Sequence, residues 1–153
     1  MNPDLTINNS LEASGSYSDI FILKLDENNK FLWVKQIPNL SAIYTQMLND
    51  LKIVNGNPIL FGNVRLRSFA NYDLSGENTD ATTIKGENGF FVSEFSNTTG
   101  AFSKAIFFKY YDTFGNIPSQ NFGTDLEFFN NNLYISGPLL TNGTVDFLDK
   151  SLT

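Results

Sequence analysis

One segment of this chain occurs twice. Asp50-Leu51-Lys52-Ile53-Val54-Asn55-Gly56-Asn57-Pro58-Ile59-Leu60-Phe61-Gly62 returns as Asp125-Leu126-Glu127-Phe128-Phe129-Asn130-Asn131-Asn132-Leu133-Tyr134-Ile135-Ser136-Gly137, at a constant offset of 75 residues and without a gap. The Asp, the Leu, two Asn and the closing Gly are identical, and most other positions keep their polar or apolar character. Self-similarity of this kind marks units that cannot bury an apolar face alone and must stack on one another.

The repeat continues upstream. Ser18-Asp19-Ile20-Phe21-Ile22-Leu23-Lys24-Leu25 matches Asn88-Gly89-Phe90-Phe91-Val92-Ser93-Glu94-Phe95 at an offset of 70, and each is followed by a polar turn and a second apolar run. The unit therefore reads strand, tight turn, strand, longer loop, strand, Asn-rich turn, strand. Each run is short, aromatic or β-branched, and bounded by Gly, Asn or Pro. Asn55-Gly56 and Asn130-Asn131 suit hairpins, because both residue types tolerate the positive φ of primed turns. Residues 42–51 form the best helix candidate, against the strand pattern elsewhere.

Four strands per unit, arranged as a meander and repeated, describe a propeller blade. Here the sequence resembles the bacterial β-propeller repeat often labelled SBBP. The resemblance rests on Asp19-Ile20-Phe21-Ile22-Leu23-Lys24-Leu25-Asp26 with Phe31-Leu32-Trp33-Val34-Lys35, and on Asn55-Gly56-Asn57 through Gly62 with Asn132-Leu133-Tyr134-Ile135-Ser136-Gly137. A linker motif recurs at Asn2-Pro3-Asp4, Tyr72-Asp73 and Val145-Asp146-Phe147. The second unit departs from the pattern, with Ser103 in place of the Trp and Ser93-Glu94-Phe95-Ser96 in place of Lys-Leu-Asp. The resemblance implies an all-β, propeller-like fold of two four-stranded antiparallel blades, a partial ring, in a secreted or cell-surface protein. It implies no catalytic residue.

The expected organisation is a linker from a preceding blade at 1–18, blade one at 19–72, an interblade linker at 73–87, blade two at 88–146, and the start of the next linker at 147–153. Closed propellers have roughly four to eight blades, so two periods point to a piece of a longer protein, with Met1 an internal or added methionine. An open half-ring completed by oligomerisation is the runner-up. Both predict adjacent blades or self-association as partners. Phe21, Trp33 and Phe91 are the residues expected to face a neighbouring blade.

Composition narrows the function classes. Phe accounts for 15 residues against six Tyr and one Trp; Phe has no polar handle, which favours packing over ligand recognition. A net charge of −6 and only two arginines, Arg65 and Arg67, argue against nucleic acid and anionic membrane partners. No apolar run reaches the length of a membrane-spanning helix. Met1-Asn2-Pro3-Asp4 lacks the basic and apolar parts of a signal peptide, so an export address would lie outside this segment. With no His and no Cys, Ser-His-Asp and Cys-His designs, His-metal sites and thiolate sites are all absent. No phosphate-binding Gly motif occurs.

The chain thus reads as non-catalytic and without a cofactor, a structural or interaction scaffold whose protein or glycan ligand is unknown. The alternatives are a carbohydrate-binding propeller and the non-catalytic part of a larger enzyme. Binding would fall on the two longest and least similar segments, 38–49 and 109–124, because propellers bind through loops supported by the blades. There Tyr44, Tyr110 and Tyr111 are the candidate ligand contacts. Asp73, Glu77 and Asp80 lie in a run rich in oxygen ligands suited to Ca²⁺, although the spacing departs from the EF-hand and a solvated interblade loop is the stronger reading. Asp19, Asp26, Asp50 and Asp125 recur at turns and strand edges and read as acceptors for backbone amides. The Asn-x-Ser/Thr triplets at Asn8, Asn39, Asn97 and Asn142 read as turn composition.

Overall fold

The computed structural model describes residues 11–13, 19–38, 43–66, 71–75, 83–85, 88–112, 125–130, 132–137 and 143–152. They contain strands and turns only. In chain order the strands are β1 (Ile20–Leu25), β2 (Phe31–Ile37), β3 (Ile43–Val54), β4 (Asn57–Leu66), β5 (Asn71–Asp73), β6 (Thr83–Lys85), β7 (Asn88–Phe95), β8 (Phe102–Asp112), β9 (Asp125–Phe129), β10 (Asn132–Ser136) and β11 (Gly143–Leu152). All sheet pairs are antiparallel. Of the helix candidate at 42–51, residues 43–51 are extended and belong to β3.

The turn chemistry works as the residue types dictate. Asn55 at φ 50° and Gly56 at φ 84° reverse the chain between β3 and β4, and Asn130 at φ 48° does so between β9 and β10. Positive φ at both Asn55 and Gly56 gives the β3–β4 turn the twist its flanking strands require. The other two hairpins also correspond. The β1–β2 register shifts between Lys24 and Leu25, and the β7–β8 register shifts between Glu94 and Phe95, the equivalent place at the 70-residue offset. Asn29 and Gly100 supply the positive φ in these bulged turns.

The strands do not divide into two four-stranded sheets along the repeat boundaries. A five-stranded sheet has the order β11-β8-β7-β4-β3, and β1–β2, β5–β6 and β9–β10 are separate two-stranded pairs. Strand β4 pairs with β7 from Ile59↔Glu94 to Arg65↔Asn88. The unbroken meander is therefore β3-β4-β7-β8, half of each unit, and the segments 19–72 and 88–146 each contribute strands to more than one sheet. Among the described residues no sheet closes on itself. The physical reason is burial. Residues 58–64 and 89–93 are buried without alternation, so β4 and β7 need cover on both faces and belong in the middle of a stack, whereas Ile20 and Ile22 of β1 alternate with exposed neighbours.

Two apolar clusters cover the two faces of this sheet. On one face, Leu60, Val64, Phe91, Phe95, Ala105 and Phe107 pack with Ile20, Ile22, Trp33 and Ile37 of the β1–β2 hairpin, and with Leu74 and Ile84 beside β5 and on β6. On the other, Ile59, Phe61, Phe90, Val92 and Tyr110 pack with Leu126 and Ile135 of the β9–β10 hairpin. Phe90 stacks on Phe108 at 4.7 Å between ring centroids and meets the edge of Phe61 at 5.9 Å. The fold is thus a stack of hairpin, sheet and hairpin. Trp33 and Phe91 lie in the first layer junction as expected, but Phe21 points away from it and is 59% exposed.

Trp33 fixes this junction. Its ring lies against Gly100 in the β7–β8 turn, where an added Cβ would sit 2.7 Å from Cε3, and its Nε1 donates to the Asn97 carbonyl at 3.0 Å. Trp33→Ala removes a buried indole and is expected to cost about 3–5 kcal/mol. Gly100→Ala combines positive φ with this collision and should cost about 1–3 kcal/mol. Gly56→Asn is expected to be near neutral, since nothing lies within 4 Å of the Gly56 Cβ position and Asn tolerates positive φ. Urea denaturation midpoints of the three variants check this order.

Candidate functional site

Acidic residues at turns and strand edges accept nearby amides. Asp26 Oδ1 accepts the amides of Asn28 and Lys30, each at 2.8 Å, and so shapes the first turn. Asp50 and Asp125, equivalent in the repeat, each accept the amide of the next residue, Leu51 at 2.7 Å and Leu126 at 2.9 Å. Asp19 Oδ2 accepts Gln36 Nε2 at 2.6 Å, and the same amide group reaches the Glu12 carbonyl at 2.8 Å. Carboxylates engaged with neighbouring amides or a side-chain amide have structural partners.

A polar network joins the layers at one end of the β7–β8 hairpin. The Asn97 carbonyl accepts both Lys24 Nζ, at 2.8 Å, and Trp33 Nε1. The Asn97 amide donates to Asn57 Oδ1 at 3.2 Å, and Asn57 Nδ2 donates to Glu94 Oε1 at 2.8 Å. Lys104 Nζ lies 3.2 Å from the other Glu94 oxygen. Asn97 thereby connects β1, β2 and the start of β4, a role the sequence shows only as an Asn in a turn. On the opposite side of the sheet Lys52 bridges layers, with Nζ 3.4 Å from Asp50 Oδ2 and 3.4 Å from Glu127 Oε2 on β9. Glu127, and then Asp50, hold the Lys52 ammonium above its ordinary value of 10.5.

Of the candidate ligand residues, only Tyr110 has a described side chain. Tyr110 is 2% exposed and packs inside the second core cluster with Phe61, Phe90 and Leu126. The side chains of Tyr44 and Tyr111 lie outside the described residues, although their backbones fall in β3 and β8. The described parts of 38–49 and 109–124 are mainly strand: residues 43–49 extend β3 and residues 109–112 extend β8.

Asp73 accepts the Ser75 amide at 3.0 Å and the Ser75 hydroxyl at 2.8 Å, a local turn. Glu77 and Asp80 lie outside the described residues, as do Asn8, Asn39 and Asn142. Among the described residues no group of three or more acidic, His or Cys side chains could hold a metal. Ser93 is fully buried between Phe91 and Phe95, with no hydrogen-bond partner for its hydroxyl among the described residues. In a chain without His it has no imidazole to activate it. No helix among the described residues is long and apolar enough to cross a membrane.

Compared with protein-family models, curated proteins and solved structures, the chain matches none.

The Lys52 bridge gives a signed expectation. Because the folded-state value is raised, its stabilising contribution is present below pH 10.5 and is lost as pH rises through the folded value. Melting temperatures measured at pH 9 and pH 11 should fall further for the unmodified chain than for Lys52→Gln. Added salt should narrow the difference, since both partners are partly exposed.

Proposed function

We propose that this chain is a run of propeller-like stacked β-sheets serving as a non-catalytic binding scaffold, in a protein that works outside the cell or on its surface. The observation that carries this reading is the double cover of the central sheet. Each face is packed against a hairpin of the same repeat, and nearly all buried side chains are apolar, with Asn63, Ser75 and Ser93 the buried polar residues among those described. Such an interior has the chemistry of layer-to-layer packing. The motifs shared with the SBBP-type repeat support the extracellular setting, and that support rests on the motifs alone.

The propeller-like arrangement is supported once the blade is taken two strands out of phase with the sequence unit. On that phase β3-β4-β7-β8 is one complete four-stranded meander, β1–β2 is the second half of the sheet before it, and β9–β10 is the first half of the sheet after it. Partners would then meet the exposed turns and strand ends at the rim of the stack, where loops supported by a rigid scaffold ordinarily bind. A protein or glycan is the ligand class that suits an acidic surface with few arginines.

The purified chain is expected to show no turnover on ester, peptide or glycoside substrates above the buffer rate. Turnover that disappears on substituting one carboxylate, with folding unchanged by circular dichroism, would overturn the scaffold reading.

A further inference from the structure

The two outer hairpins are complementary halves of the central sheet. By the 75-residue offset β9–β10 corresponds to β3–β4, and by the 70-residue offset β1–β2 corresponds to β7–β8. In the central sheet those two hairpins are joined edge to edge through β4 and β7. In the outer layers the equivalent edges are open: β10 pairs only with β9, and β1 only with β2, among the described residues. Unpaired antiparallel edges are templates for another strand.

The exposed apolar surface follows the same logic. On β7, Phe91 and Phe95 face the preceding layer and are fully buried there, with Ser93 between them. Their equivalents Phe21, Leu25 and Leu23 all point away from the stack and are exposed, as is Leu32 on β2. The segment around Glu12 touches this hairpin through Gln36, yet Phe21 and Leu23 stay exposed. A face that is interior in one unit is therefore bare in the other. The layer that would cover it, by the same equivalence, is the β7–β8 side of a central sheet, where Ile106 and Phe108 are only half-buried.

One copy cannot satisfy itself. The hairpins β1–β2 and β9–β10 lie on opposite faces of the central sheet, and stacked sheets are about 10 Å apart, so β1 and β10 of the same copy are two layers from each other. We propose that a second copy of this chain docks head to tail, its β1 pairing antiparallel with β10 of the first to complete a four-stranded sheet. This inference rests on the stacked-sheet reading above. It specifies the register. The central pairs Leu60↔Ser93 and Ile59↔Glu94 translate to Ile135↔Leu23 and Tyr134↔Lys24 across the junction. Each copy offers one of each edge, so the contact is heterologous and propagates into rings or filaments.

The absence of cysteine makes the register directly testable. Single-cysteine chains are mixed in equal amounts and oxidised gently, and cross-linked heterodimers are quantified on non-reducing gels. Adjacent antiparallel positions alternate between close and wide pairs, so at least one of two mixtures, Leu23→Cys with Ile135→Cys or Lys24→Cys with Tyr134→Cys, should cross-link well above the homodimer background. Leu25→Cys with Ile135→Cys, two residues out of register, should stay at background.

Sedimentation of the unmodified chain should show oligomers that grow with concentration. Leu23→Lys, at an exposed position, should weaken that association by at least about tenfold with the circular dichroism spectrum unchanged. A monomer at all concentrations, association indifferent to Leu23→Lys, or cross-linking no better in register than out of it would overturn the head-to-tail pairing. Those results would leave the scaffold reading standing, whereas enzymatic turnover would defeat the scaffold reading without touching the pairing.

Discussion

Two adjacent strands with no polar face set the terms for everything else in this molecule. Residues 58–64 of β4 and 89–93 of β7 are buried on both sides, and a sheet of that kind is stable only between two other layers. Each outer hairpin meets the requirement with half of its own surface. On β1–β2 the inward set is Ile20, Ile22, Trp33 and Ile37, and on β9–β10 it is Leu126 and Ile135. The abundance of Phe follows, because a sheet covered on both faces has room for large apolar side chains on both sides of its central strands, as at Phe61, Phe90 and Phe91. Phe90 and Phe91 are neighbours in sequence and belong to different cores.

Polar residues in this arrangement tie layers together at their ends. The Asn97 carbonyl receives Lys24 and Trp33 from the outer hairpin, while its amide reaches Asn57 on β4. At the opposite junction Lys52 spans Asp50 and Glu127. These contacts fix how one layer sits on the next, which apolar packing alone leaves free to slide. The equivalence of the two units does not extend to them. Position 24 is Lys where position 94 is Glu, and Trp33 has no aromatic counterpart at Ser103. The repeated positions preserve strands and turns, and the unrepeated ones make the specific junctions.

That division bears on function. Asp26, Asp50 and Asp125 are engaged with neighbouring amides, Tyr110 is buried in the core, and Ser93 is fully buried on β7. Among the described residues, exposed apolar side chains lie on the outer hairpins, with Phe21, Leu23 and Leu32 on β1–β2 and Phe129, Leu133 and Tyr134 on β9–β10, and on the edge strand β3, with Leu48, Leu51 and Ile53.

The sequence by itself determined the all-β class, the hairpins and their turns, because Asn and Gly at positive φ and short β-branched or aromatic runs act locally. It also determined that units stack, since neither half of the repeat could bury its apolar residues alone. Residues such as Asp26, Asp50 and Asp125 were legible as amide acceptors for the same local reason.

Which strands share a sheet was decided only by the tertiary structure. A repeat reports its period and leaves its phase open, and whether β4 pairs with β7 depends on both faces of both strands being covered at once, a condition set by residues far apart in the chain. The same holds for Tyr110 and Phe21. Both sit in apolar strands, yet one lies in a junction between two layers and the other on a face that no described layer covers.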